Sequence, residues 1–137
     1  MKPHIIITGG AQGIGKISTI ELIKQNYRVS VFDQDREAID EMKVELKWED
    51  ENENCSFHQL DISNEREVVG AINESFKVFG NIYGLVNNAA ISNNKPLLEL
   101  TLTEWEEVIG TNLTGAFLCS KYALPYLKES KGCIINM

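Results

Sequence analysis

Residues 8–16 read TGGAQGIGK, with glycines at 9, 13 and 15 between a short apolar run and a stretch of helical periodicity. A backbone without side chains there can turn sharply, come close to a pyrophosphate and aim the free N–H groups of a helix start at the anion. A tight strand–helix turn would use the same glycines, so the loop alone is a weak signal. Asp33 lies 18 residues beyond Gly15, at the end of a second apolar run. A carboxylate at that distance can accept hydrogen bonds from both hydroxyls of an adenosine ribose and would repel a 2′-phosphate. Asp33 or Asp35 can equally cap the helical stretch 35–47, but the loop and the acid support each other, and together they favour dinucleotide binding. Asp61, the pair Asn87-Asn88 and Asn112 are further polar residues at element ends. Asp61 would also serve as a helix cap, Asn87 and Asn88 as turn formers, and Asn112 as a surface residue. Thr111, Thr114 and Gly115 are weak helix formers around Asn112, so this segment is expected to bend or expose a carbonyl. His4 and His58 lie in strands, without a catalytic partner that the sequence identifies.

These residues need elements to hold them. Short apolar runs at 4–8, 27–32, 55–60, 82–87 and 132–136 read as strands. Between them the spacing predicts helices over 13–25, with Ile14, Ile17 and Leu22 on one side, and over 35–47. Further helices are predicted over 64–79, with a capping-box spacing at Asn64 and Glu67, and over 103–128, with the same spacing at Thr103 and Glu106. A short turn near 96–100 precedes the last. Strand–helix alternation at this spacing predicts right-handed βαβ units and a parallel α/β sheet. Trp105, Phe117 and Tyr122 are expected in core or interface packing, and the acidic run 48–54 in a solvated loop.

The chain has 137 residues, 43% of them hydrophobic, and a net charge of −7. That suffices for one core and disfavours nucleic acid as a partner. Three scattered cysteines show neither metal-ligand nor disulfide spacing, which points to a reducing cytoplasm. The N-terminus is expected to lead straight into a strand without a signal peptide, no stretch approaches membrane-spanning length, and no metal site is expected.

The spacing Thr8-Gly9-x-x-x-Gly13-Ile14-Gly15 resembles that of the short-chain dehydrogenase/reductase family. Four further matches follow in order: LDIS at 60–63, NNAA at 87–90 (with Ala90 where the family has glycine), TNLTG at 111–115 and GCIINM at 132–137. The resemblance implies a Rossmann-type doubly wound parallel sheet of about five strands in order 3-2-1-4-5. It assigns cofactor contacts to Thr8, Gly9, Gln12, Gly13, Ile14 and Gly15, to Asp33, Asp61 and Ile62, and to Asn88, Ala89 and Ala90. It makes Asn112 the family's catalytic asparagine, which holds a water in the proton relay. The catalytic serine and a Tyr-x-x-x-Lys pair complete the family's site, and neither matches a position in 1–137. Tyr122 and Lys128 are six apart, and Tyr83 has no lysine at 87. The expectation is an incomplete NAD(P)-binding domain over 1–137, truncated after the fifth strand and inactive by itself. Its parent is expected to be an oxidoreductase that prefers NAD over NADP and acts on an alcohol or carbonyl compound. The 137-residue chain is expected to be a homo-oligomer, self-associating through the apolar edge at 132–136 and the face of helix 103–128 or by strand exchange. The alternative is a non-catalytic NAD-binding or regulatory module.

Overall fold

All five residues of His4–Thr8 are buried, forming β1. A strand enclosed on both faces belongs in the middle of a parallel sheet with helices on each side. The computed structural model, which describes residues 2–47 and 53–137, has that architecture. The elements run β1, α1 (Gly13–Lys24), β2 (Arg28–Asp33), α2 (Arg36–Glu45), β3 (Cys55–Gln59), α3 (Glu65–Phe79), β4 (Ile82–Asn87), α4 (Leu102–Ile109), α5 (Ala116–Ser130) and β5 (Cys133–Asn136). A π-helical turn, Gly110–Gly115, joins α4 to α5. The five strands are parallel in the order β3-β2-β1-β4-β5, the Rossmann-type arrangement, with β5 at an edge. Within the acidic run 48–54, residues 48–52 lie outside the described residues.

Alternation along β1 sorts the core into two layers. Ile6 points with Phe32, Val68, Ile72, Leu85 and Leu118 into the layer under α3 and α5. Ile5 and Ile7 join Val29, Val31, Ile39 and Met42 in the layer facing α1 and α2. Pairings such as Thr8↔Phe32, Asp33↔Gln59 and Asn87↔Asn136 bring the C-terminal strand tips to one rim. Among the described residues, no helix is long and apolar enough to cross a membrane.

Several local expectations are corrected. Ile14 and Ile17 are 63% and 69% exposed; α1 turns Gly15 and Thr19 inward instead, with Ile20, Leu22 and Ile23 against the core. At Gly15 the helix backbone lies so near the first loop that a Cβ would not fit there, and this contact sets which face of the first turn is inward. The fourth helix starts at Leu102, because the capping box is formed by Thr101 and Glu104 and not by Thr103 and Glu106. Asn64 caps α3 as expected, accepting from Arg66 and Glu67, but Glu67 returns its carboxylate to the N–H of Asp61. Tyr122 packs against the core layer as expected, with its hydroxyl donating to Glu65, whereas Trp105 and Phe117 are exposed and lie outside the core.

Candidate functional site

Strand order reverses direction between β1 and β4, and such a switch point opens a crevice at the strand tips. Here it is laced by Thr8 and Asn88. The Thr8 hydroxyl accepts the N–H groups of Asn88 (3.1 Å) and Ala89 (3.0 Å), and Asn88 Nδ2 donates to the carbonyls of Thr8 and Gly9, both at 3.0 Å. Gly9 has φ +63°, and a Cβ on it would lie 2.9 Å from Ala89 Cα. On Gly15 a Cβ would lie 2.0 Å from the Gly9 carbonyl oxygen, so helix and loop meet backbone to backbone.

The start of α1 differs from the other helices that follow loops. Asp35, Asn64 and Thr101 cap α2, α3 and α4 with side-chain oxygens. Gln12, at the start of α1, makes no such bond, and the first turn carries no acid. The first N–H groups of a helix have no partner within it, and the positive end of the dipole gathers there. Beside this start a cleft of about 340 Å³ is lined by Gly9, Gln12, Phe32, Asp33, Gln34, Leu60, Asp61, Ile62, Asn88, Ala89, Ala90, Ile91 and Thr111. Asp33 is fixed in its wall: Oδ2 accepts from the Ala11 N–H and Oδ1 from the Asp35 N–H, each at 3.1 Å. Asp61 Oδ1 accepts from the N–H and hydroxyl of Ser63.

A second hollow, of about 450 Å³, shares Ile62, Ala89 and Ala90 with the first and adds Thr8, Asn87, Asn112, Phe117, Ser120 and Asn136. Asn87 Nδ2 donates to Ser120 Oγ (3.0 Å) and Asn136 Oδ1 (2.8 Å), tying β4, α5 and β5 together. Asn112 lies in the π-helical turn. Its Oδ1 accepts from the Ile91 N–H (2.8 Å) and its Nδ2 donates to the Ile91 carbonyl (2.9 Å). The side chain is thus committed to holding the loop after β4. π-Helical turns inside helices recur at functional sites. This one brings Gly115 against Ile62, where a Cβ would meet Ile62 Cδ1 at 2.6 Å.

Of the residues singled out from sequence, Gly9, Gln12, Asp33, Asp61, Ile62, Asn88, Ala89 and Ala90 gather on the first cleft, and Thr8 and Asn112 on the second hollow. Gly13, Ile14 and Gly15 form the adjoining helix start. Ala90 is not among the residues with positive φ, so it replaces glycine without backbone strain. Sequence reasoning missed Phe32, Gln34, Leu60, Ile91, Thr111 and Ser120. Gln34 and Leu60 adjoin the predicted strand tips, and Ser120 lies eight residues, about two turns, beyond Asn112. Ile91 carried no such signal.

Fold and crevice define a Rossmann-type α/β domain with a glycine-lined cleft at its switch point. The family model of the short chain dehydrogenases matches residues 3–137. The chain belongs to that family, the short-chain dehydrogenases/reductases. It is 34% identical over 133 residues to an uncharacterized oxidoreductase of Thermotoga maritima, covering 96% of this chain and 51% of that protein. The structure of ElxO with NADP bound aligns with TM-score 0.85 and 38% identity, covering 99% of this chain and 55% of that one. A Brucella melitensis 3-ketoacyl-(acyl-carrier-protein) reductase complexed with NADH aligns with TM-score 0.89 and 25% identity, covering 98% and 55%. The chain thus spans about half the length of the relatives it matches.

Proposed function

We propose that this chain is the nucleotide-binding part of an NAD-dependent oxidoreductase that moves a hydride between a nicotinamide dinucleotide and an alcohol or carbonyl compound. The observation that carries this reading is the uncapped start of α1 opening on the same cleft as Asp33. The residues fit such a group: the Gly9–Gly15 backbone leaves the space that a pyrophosphate needs, and a fixed carboxylate waits where a ribose would lie. Asp61 and Ile62 flank the adenine position, and Asn88, Ala89 and Ala90 form the opposite wall. The nicotinamide ring, when bound, supplies or accepts the hydride. Asn112 serves that end by holding the Ile91 loop against the second hollow.

Preference for NAD rests on Asp33, whose carboxylate opposes a 2′-phosphate. Lys16, the nearest cation in the loop region, is paired with Glu45 on α2. The relatives include a protein with NADP bound and another with NADH, so the family alone does not decide this. A non-catalytic nucleotide-binding module is the second reading, favoured by Asn112, whose side-chain amide is engaged at both ends by Ile91.

Calorimetric titration of the purified chain with NAD, NADP and ADP-ribose tests both readings. NAD is expected to bind at least about tenfold tighter than NADP, the scale of one hydrogen-bonded charge left unpaired. ADP-ribose should bind nearly as well as NAD, and NADH formation with a panel of alcohols should be absent, since among the described residues no titratable side chain lines the second hollow. Equal affinities for NAD and NADP, or an unchanged preference in Asp33→Ala, would overturn the assignment of Asp33. Turnover that disappears in Asn112→Ala would show a complete site.

A further inference from the structure

Away from the cleft, a run of polar side chains, buried at its His4 end and partly exposed at Ser56 and His58, crosses three strands beneath α3. His4 Nε2 meets Ser30 Oγ at 2.8 Å, Ser30 Oγ meets Ser56 Oγ at 2.8 Å, and Ser56 Oγ meets His58 Nε2 at 3.1 Å. His4, Ser30 and the adjoining Ser75 are fully buried. The outer nitrogens are also engaged: His4 Nδ1 with the Gly80 carbonyl at 3.1 Å, and His58 Nδ1 with the Glu74 carboxylate at 3.5 Å. A carbonyl only accepts, so His4 carries its proton on Nδ1, and the carboxylate asks the same of His58. Both Nε2 atoms are then bare in the neutral state. Between them lie three contacts and two hydroxyl protons.

This count decides how the run responds to acid. With no added proton one contact stays unfilled, and Ser75 Oγ, 3.2 Å from His58 Nε2, supplies the donor for that nitrogen. One added proton completes the run in either direction. A second leaves a hydroxyl hydrogen without an acceptor and buries two cations together. The charged surroundings rank the two ends. His58 has Glu74 beside it, and its imidazole is pushed down chiefly by burial, against the pull of that carboxylate. His4 faces Arg28 and the Phe79 ring, has the Gly80 carbonyl but no carboxylate beside it among the described residues, and is pushed down to about 4 chiefly by burial.

We propose that His4, Ser30, Ser56 and His58 form a one-proton switch, which takes a first proton at His58 and answers a second, at His4, by releasing β3 and α3 from the sheet. The adenosine side of the cleft depends on those elements. Asp33 and Gln34 follow Ser30 on β2, Leu60, Asp61 and Ile62 follow His58, and the His58 ring lies edge-on to Phe32, which lines the cleft, with centroids 5.3 Å apart. Acid would therefore loosen the nucleotide side of the molecule. The sign follows from proton uptake: above pH 6.5 neither state charges His4, and between 6.5 and about 4 the unfolded chain takes a proton that the folded one refuses. Stability held at neutral pH is lost as the pH falls through that window.

Long-range 1H–15N spectra of the full chain between pH 7.5 and 5.0 test the order of protonation. The expected result is His58 charging first while His4 stays neutral with its proton on Nδ1. His4 charging first, or carrying its proton on Nε2, overturns the proposal. Urea unfolding at pH 7.5 and 5.0 tests the consequence. His4 alone should lower the wild-type folding constant about 30-fold over that interval, and His4→Gln should lose that part of the pH dependence. An unchanged pH dependence in His4→Gln overturns the proposal, and if that variant does not fold, the wild-type spectra decide.

Discussion

Gly15 is the residue where the cleft leaves least freedom. Its missing Cβ would sit 2.0 Å from the Gly9 carbonyl oxygen, a backbone atom that cannot swing aside as a side chain can. Gly15→Ala is expected to cost about 3 kcal/mol through overpacking, and to pry α1 away from the loop, so nucleotide affinity should fall with stability. Paired urea unfolding and calorimetry check this; an alanine variant with wild-type midpoint and affinity would contradict the geometry. Asp33 has a double duty, of which the sequence suggested the bond toward the start of α2 but not the one to Ala11. Besides facing the cleft, it fixes the N–H groups of Ala11 and Asp35. Asp33→Asn, which keeps one acceptor oxygen, should therefore preserve more stability than Asp33→Ala.

At the scale of elements, the loop after β4 is held by side chains from the helix that follows it. Asn112 grips Ile91 through both amide atoms, and Lys95 pairs with Glu104. Asn112→Ala should free the loop at a cost of about 0.5–1.5 kcal/mol, since water can replace the exposed bonds. Hydrogen exchange at Ile91 should then rise about tenfold or more, while amides of β1 and β2 stay protected; unchanged exchange at Ile91 would remove the clamp from the account. Strand limits within about a residue, the glycine loop and the Asn64 cap were legible in the sequence, because each rests on local pattern, whereas the strand order came only with the family resemblance. The weak helix formers from 110 to 115 foretold a disturbance, but not that it would be a π-helical turn seating Gly115 on Ile62. The outward turn of Ile14 and Ile17 was illegible for a related reason. Which face of α1 is inward is set by how closely its backbone meets Gly9, a contact that hydrophobic spacing does not encode. The Asn112–Ile91 clamp joins residues 21 apart across two elements, and no local rule announces it.

Taken whole, the molecule is covered unevenly. β5 closes one edge of the sheet with Ile135 and Met137 exposed, and Phe117, Leu113 and Trp105 add apolar surface on the neighbouring helical segments. Apolar surface beside an unpaired strand edge favours association. Light scattering on a concentration series is expected to show species larger than a monomer, and a monodisperse monomer at high concentration would count against it. The lacing at the switch point also sets a timetable. The hydroxyl of Thr8 meets partners 80 and 81 positions later, whereas β1, β2 and β3, with Asp33 among them, are complete by residue 59. Closing so long a loop comes late, because its entropy is lost before the distant contacts repay it. During refolding, ellipticity should therefore recover first, and the ability to capture nucleotide only after β4 arrives. Stopped-flow traces of the two signals should separate, with the binding signal lagging. A newly made chain would pass through an interval in which it has most of its helices but only one wall of the cleft, before Asn88, Ala89 and Ala90 close the other.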